Sequence, residues 1–304
     1  MQQPCTIAIC TYNRNRALRR CIDGLIAQEA DMSALPVMIV DNNPVPMAAD
    51  ILRDIDTSRL AMEIIHHAEP GLSSARNAAV ERAATPYIAF LDDDAIPPPH
   101  WARTLTDIID RHAPDIFGGP VFPYYTDEKP AWFRDEYEVR SHASETGFQT
   151  DGRVSGGNFG VRTALFETLG RFDTSLGMVG QSVKLGEERE FVERYKARTP
   201  ATEQRIYYDL GLRIRHHVPA RKMRLGYILA RQYAAGKSMA QIRKKPLSRL
   251  PSHLLYLAYF AATEPIREIA RRNIRRADYI SILGALASRW GNIVQIVKNG
   301  LNRP

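Results

Sequence analysis

Apolar residues fall in short, nearly continuous runs along the first part of the chain: Thr6 to Cys10, Val37 to Val40, Met62 to Ile65 and Tyr87 to Leu91. Each is too short for a helix and carries β-branched or aromatic residues, so each predicts a strand. Between them the apolar period changes. Ala17, Leu18, Cys21, Ile22, Leu25 and Ile26 recur at helical spacing, with Arg16, Arg19 and Arg20 on the other face. The segment SSARNAAVERAA predicts a second helix, with Ser73 or Ser74 as N-cap. Strands alternating with helices imply βαβ units and a parallel sheet. The lack of apolar–polar alternation within the runs implies burial on both faces.

The run Tyr87 to Leu91 delivers three consecutive carboxylates, Asp92, Asp93 and Asp94, before the chain breaks at Pro97, Pro98 and Pro99. Three like charges at a strand end repel unless a positive group sits among them. A divalent cation is one answer, since Mg²⁺ and Mn²⁺ prefer carboxylate oxygens; a solvated acidic turn is the other. In parallel sheets, ligands bind beyond the carboxyl ends of the strands. Thr11, Asp41 and Asp92 to Asp94 all occupy such ends, so they are expected to converge on one edge as a site.

Further along, Trp101 to Ile109 predicts a helix, and Asp115 to Val121 a strand entering a turn. The segment from Pro123 to Gln149 is irregular and rich in aromatic and charged residues, as expected of a binding loop. Gly156 and Gly157 permit close backbone approach. LGEEREFVERYKART predicts a helix whose early Glu187, Glu188 and Glu190 suit the helix dipole. Ile206 to Leu210 and Leu212 to His217 read as a hairpin or as a strand closing the domain.

Composition adds two constraints. Of 304 residues, 44% are apolar, enough for a sizeable core, and three are cysteines, Cys5, Cys10 and Cys21. That odd, unspaced set argues against a disulfide scaffold and for a reducing compartment. No signal peptide is expected, because the strand at Thr6 to Cys10 has no cationic leader before it. The apolar run Leu254 to Ala262 is too short to span a bilayer. Charge is uneven: from Arg213 onward there are 19 Lys and Arg against 3 acids, leaving 22 bases and 31 acids before it. An acidic body and a basic tail suggest a cation-using site and a surface that meets anions. In the tail, Ile266, Ile269, Ala270, Ile274, Ala277 and Ile280 form an apolar stripe. Arg267, Arg271, Arg272, Arg275 and Arg276 surround it, which fits either an anionic membrane surface or a solvated face of a helical subdomain.

In order, TYNR, VDNN, PGLSSARN, FLDDD, GGNFGVR, LGEERE and RHHVP resemble the inverting family 2 glycosyltransferases of the GT-A fold, an α/β architecture with a Rossmann-like, mostly parallel sheet. The resemblance covers Thr6 to Pro219. It implies a nucleotide-sugar site in which Thr11, Tyr12 and Arg14 border the base and phosphates and Asp41 accepts hydrogen bonds from the base. Arg76 would lie near the nucleotide, with the Ser73 to Ala75 amides opening a helix start suited to anions. Asp92 and Asp94 would be the D-x-D pair that meets the ribose and a Mn²⁺ or Mg²⁺ ion. Asp93, on the same nucleotide-sugar loop, would point away and serve structure. Gly157 and Asn158 would lie near donor sugar and acceptor.

An inverting transfer needs one general base. The family carries it as the Asp of a Glu-Asp pair; here the pair is Glu187-Glu188, so Glu188 takes the base position and Glu187 is the second candidate. The extra methylene displaces that carboxylate by about 1.5 Å, and the neighbouring charge of Glu187 raises its proton affinity. His216 and His217 lie where relatives carry a metal-side His, and strand alternation leaves one of them facing the site.

The expected organisation is a catalytic domain over residues 1–219 and a basic helical region over 220–304. The expected partners are a nucleotide-diphosphate sugar, most simply uridine-linked, and a glycan or lipid-linked acceptor hydroxyl. The expected place is the cytoplasm, peripheral to the inner face of an anionic membrane, with no nucleic acid. Two rivals remain: a polyanion or nucleic-acid binder acting through the tail, and a sugar-phosphate nucleotidyltransferase, which the missing Gly-rich, Lys-bearing N-terminal loop disfavours.

Overall fold

A computed structural model describes residues 3–180, 184–270 and 276–301. In chain order its elements are β1 (Cys5–Thr11), α1 (Asn15–Ile26), β2 (Val37–Asp41), α2 (Ala48–Leu52), β3 (Met62–His66), α3 (Leu72–Arg82) and β4 (Tyr87–Leu91). Then come β5 (Ala95–Ile96), α4 (Trp101–His112), β6 (Ile116–Gly118), β7 (Val121–Tyr124), β8 (Gly147–Phe148), β9 (Asn158–Arg162) and α5 (Leu165–Leu169). The rest are α6 (Glu187–Arg198), β10 (Ile206–Tyr208), β11 (Ile214–His217), α7 (Leu225–Ile242), α8 (Leu250–Ala270) and α9 (Arg276–Leu301). By contact the chain divides into two compact units. The first comprises Met1–Tyr124, Glu138–Gly180 and Glu187–His217; the second comprises Tyr125–Tyr137, Gln181–Gly186 and Val218–Pro304.

The first unit is built on an eight-stranded sheet in the order β3-β2-β1-β4-β9-β6-β10-β8. Its strands are parallel except β9, which runs against β4 and β6, and the short β8 at the edge. Successive side chains on the central strands go to opposite faces. On one side Ile7, Ile9, Val37 and Ile39 pack with Leu18 and Leu25 of α1 and Trp101 and Leu105 of α4. On the other, Ala8, Met38, Val40, Ile88 and Phe90 pack with Ala75 and Ala79 of α3 and Phe191 and Tyr195 of α6. Both faces being covered explains why the strands are continuously apolar. Burying an Ile or Leu side chain contributes about 1.5–3 kcal/mol, so this double core fixes the sheet and hence the strand ends.

Three local readings differ from expectation. Residues Asp115 to Val121 do not form one strand: Gly119 and Pro120 separate β6 from β7. Nor do Ile206 to Leu210 and Leu212 to His217 form a hairpin. β10 joins the large sheet beside β6, whereas β11 joins a second sheet, β5-β11-β7. Asp209, bonded to the amide of Gly211, turns the chain from one sheet to the other. Finally, α3 is capped by Gly71, with Ser73 and Ser74 inside the first turn.

The second unit buries Phe133, Val218, Met223, Ile228 and Ile280 together. Helices α7 and α9 cross closely, Gly236 lying against the backbone of Ser288 and Gly291 against the carbonyl of Tyr233. Among the described residues one helix, Tyr279–Leu301 within α9, is long and apolar enough to cross a membrane by length and composition alone. It does not read as an uninterrupted apolar run, because Arg289 and Asn292 interrupt its apolar residues. The Ile266 to Ala277 part of the expected apolar stripe lies outside the residues whose side chains are described; Ile280 is buried.

Candidate active site

The parallel register sets Thr11 at the end of β1 opposite Asp41 at the end of β2. Asp41 is buried, and its carboxylate accepts from the amides of Asn43 (3.1 Å), Met47 (2.5 Å) and Ala48 (2.6 Å) and from the Asn43 side chain (2.7 Å). A carboxylate offers about four acceptor positions, so the chain uses all of them. Burial pushes its pKa up, but these four donors outweigh burial and hold it below the usual range. These bonds fix the turn after β2. Thr11, also buried, donates to Asp93 at 2.8 Å. Tyr12 is exposed at the mouth of this turn, and the neighbouring Asn13 amide donates to Asn43 at 2.8 Å.

The three aspartates separate as strand-end geometry requires. Asp93 is buried with Thr11 and 3.5 Å from Arg14. Burial pushes its pKa up to about 7, against the pull of Arg14 and with a further push from Asp94. Asp92 and Asp94 instead meet His216, whose Nε2 is 2.8 Å from Asp94 Oδ1 and 3.7 Å from Asp92 Oδ2. β11 carries His216 there by pairing it with Ala95 on β5. Arg14 closes a direct ion pair with Asp94. His217 turns the other way and packs against Tyr124 with the rings tilted and their centroids 5.2 Å apart. Among the described residues, Asp92, Asp94 and His216 place one ligand atom each within 4.8 Å of the others. Two carboxylate oxygens and an imidazole nitrogen form a donor set suited to Mn²⁺ or Mg²⁺, and the concentrated acidity gives a cation reason to bind. The residues present fit such an ion.

Arg76 departs most from expectation. It is buried at 2% exposure on α3, its guanidinium lying 5.4 Å from the ring centroids of both Phe90 and Phe159. It donates to Glu187 at 2.6 Å, to the Gly156 carbonyl at 2.5 Å and to Asp92 at 3.5 Å. Those contacts tie α3 to α6, to the Gly156 loop and to the end of β4. At the start of α3 the Leu72 amide donates to the Met178 carbonyl and the Ser73 hydroxyl to that of Leu176, both at 2.8 Å.

Glu187 and Glu188 open α6 but do different things. Glu187 is buried in the pair with Arg76, whereas Glu188 is half-buried at the site. Burial first, then the charge of Glu187, pushes Glu188 up to about 7, with Arg76 opposing. The two glycines tie these groups together. A Cβ on Gly156 would lie 3.3 Å from both the Glu188 carboxyl carbon and an Arg76 nitrogen; one on Gly157 would lie 2.5 Å from Asp92 Oδ2. One residue step thus separates the Glu188 side of the site from the Asp92 side. Asn158, fully buried, accepts from Trp101 Nε1 at 3.0 Å and donates to the Leu212 carbonyl at 2.5 Å, so it holds the loop. Trp101 was legible only as the start of a helix, and nothing in its spacing discloses this bond.

A model of glycosyl transferase family 2 matches residues 6–170. The chain belongs to that family. It is 25% identical over 247 residues to the glucosyl-dolichyl phosphate glucuronosyltransferase of Haloferax volcanii, a match covering 77% of this chain and 75% of that protein. The succinoglycan biosynthesis protein ExoM of Rhizobium meliloti is 27% identical over 42% of each chain. Among solved structures, the mannosyltransferase PcManGT of Pyrobaculum calidifontis, in complex with GDP-Man and Mn²⁺, superposes with a TM-score of 0.66 at 15% identity, over 98% of this chain and 88% of that one. Residues 1–349 of S. aureus TarS, in complex with UDP-GlcNAc, give 0.56 at 15% identity over 97% and 90%. The fold is GT-A and the protein is a glycosyltransferase. The polyanion-binder and nucleotidyltransferase readings find no support in these relatives.

Proposed function

We propose that this glycosyltransferase moves a sugar, with inversion, from a nucleoside-diphosphate donor to an acceptor hydroxyl, with Glu188 as the base and a divalent cation on Asp92, Asp94 and His216. The observation that supports this reading is the Gly156–Gly157 step, where the lack of side chains lets Glu188 approach one glycine and Asp92 the next. The acceptor oxygen attacks the anomeric carbon as its proton passes to the Glu188 carboxylate. The bond from that carbon to the diphosphate oxygen breaks, and the nucleoside diphosphate departs with the electron pair. A pKa near 7 suits a base that must take a proton in neutral solution and release it afterwards. Arg76 holds Glu187, Gly156 and Asp92 in register, and Arg14 neutralises Asp94 and Asp93. A cation here would act as Lewis acid and template for the diphosphate. Thr11 and Asp41 would support the nucleotide pocket through the turn they fix, with Tyr12 exposed beside it.

The donor to test first is uridine-linked. PcManGT is described with GDP-Man and TarS with UDP-GlcNAc, so the panel should include both nucleotides. The acceptor we propose is a glycan or lipid-linked glycan hydroxyl, with the protein working in the cytoplasm at the membrane periphery; the naming of one relative for a dolichyl phosphate substrate supports this. Turnover of a nucleotide-sugar panel with Mn²⁺, with Mg²⁺ and after chelation is the direct test. Chelation and Asp94→Ala are each expected to reduce kcat/KM by at least about a hundredfold, or ~2.7 kcal/mol. Full turnover in chelator would remove the cation from the mechanism, and a product retaining the donor's anomeric configuration would end the inverting reading.

A further inference from the structure

The second unit leaves an apolar helix face open, and we infer that it docks on the headgroup–acyl boundary of an anionic lipid leaflet. The inference extends the membrane-periphery clause above, and its test is read separately from turnover. Between Leu250 and Thr263 the chain contains no Asp, Glu, Lys or Arg. In a helix buried on all sides that would be ordinary, yet α8 is widely exposed there: Leu254 44%, Leu255 74%, Tyr256 52% and Tyr259 52%. Leu255, Ala258, Tyr259 and Ala262 recur at the spacing of one helical face, with Leu254 and Ala261 alongside, and all six are exposed. The opposite side is occupied by α9, whose Arg289 guanidinium lies 3.7 Å from the ring centroid of Phe260 and 5.1 Å from that of Tyr256. An uncharged face of this breadth in water has no solvation partner, and such surfaces mark interaction sites.

Charge decides what covers it. Arg243, Lys244 and Arg249 are exposed just before α8, with Leu247 exposed between them. In sequence, the uncharged stretch is followed by Glu264, Arg267, Glu268, Arg271 and Arg272, three cations against two acids. Exposed cations therefore precede the face. A second copy of the helix packed in parallel would bring those cations against cations. Anionic headgroups would neutralise them while the acyl boundary took the Leu and Ala side chains. Tyrosines at this level place a ring in apolar surroundings and a hydroxyl in the wet layer. An in-plane helix also needs only the uncharged length observed, which is too short to cross a bilayer.

The test is flotation of the full chain with vesicles of phosphatidylcholine alone or with added phosphatidylglycerol, at low and high salt. Donor turnover and oligomeric state are measured on the same samples. The wild type should float with the anionic vesicles and about tenfold less with neutral ones, salt weakening the difference. The double substitution Leu255→Glu and Tyr259→Glu should lower partition by about a hundredfold, since it replaces two inserted apolar groups by charges. Solution turnover should be unchanged, because neither residue belongs to the site. Failure of the wild type to float, or flotation of the double variant at wild-type level, would overturn the inference. So would a wild-type dimer, dissociated by these substitutions, that ignores vesicles. Loss of turnover with flotation intact would count against the proposed reaction and leave this surface standing.

Discussion

The two units handle charge and apolar surface in opposite ways. The first buries charge: Arg76 and Glu187 lie in the core between strand ends and a helix start, and Asp41, Asp93 and Asp94 are all buried. The second exposes grease: Leu254, Leu255, Tyr256, Tyr259, Leu283, Trp290 and Leu301 all face outward. Burying a charge is costly unless it is paired and hydrogen-bonded, and exposing apolar helix faces forgoes the main stabilising term of folding. A chain that does both has placed constraints other than stability on each unit. In the first, the constraint is fixed carboxylates; in the second, it is a surface that something else must cover.

The sharpest way to break the first half of that contrast is Glu188→Gln. If Glu188 is the base, kcat/KM should fall by about 10²- to 10⁴-fold while thermal unfolding changes little, since Gln keeps the volume. An unchanged rate would assign the proton to another group. The same residue predicts a pH profile. A base acts when deprotonated, and the folded protein raises Glu188 to about 7, so kcat/KM should rise about tenfold per pH unit up to about 7 and then level. Glu187→Gln removes the negative neighbour that pushes this value up, so the acid limb should move to lower pH. A limb that stays in place would show that Glu187 does not set it.

Next in size is Arg76→Met. It leaves Glu187 buried without its partner, a loss of about 3–5 kcal/mol in unfolding free energy by denaturant titration. The double change Arg76→Met with Glu187→Leu should recover most of that stability, because removing both charges leaves no buried ion, but it should not restore turnover. Recovery of both would reduce the pair to packing.

Much of this was legible from residues alone, for a physical reason. Strands buried on both faces read as unbroken apolar runs, so β1, β2 and β4, and with them Asp92 to Asp94, could be placed before any coordinates. The choice between His216 and His217 followed the same logic: alternation allows one inward ring, and register on β11 decides which. What could not be read was where polar groups spend their bonds. The motif around Arg76 suggested a ligand contact, but whether a guanidinium faces solvent or a buried Glu depends on α6, more than a hundred residues away. The Asp41 carboxylate likewise spends its bonds on the turn just after it, and the start of α3 bonds to carbonyls of Leu176 and Met178, neither of which a local pattern discloses. Exposure of α8 was hidden for the converse reason: an uncharged run reads as core until its neighbours are known.

The smallest expected effect tests the second half of the contrast. A core position such as Leu18, fully buried between α1 and the sheet, should cost about 2–5 kcal/mol when cut to Ala. Leu255, at 74% exposure, should behave as a solvated position despite its chemistry. Leu255→Ala should therefore change unfolding free energy by no more than about 0.5 kcal/mol, measured by denaturant titration without lipid. Both side chains are leucine on a helix, so only surroundings differ between the two substitutions. A loss at Leu255 comparable to that at Leu18 would mean that the face is covered within the protein in solution, and the contrast between the units would dissolve. A null effect without lipid, joined to weaker flotation of the same variant, would place the missing partner outside the chain.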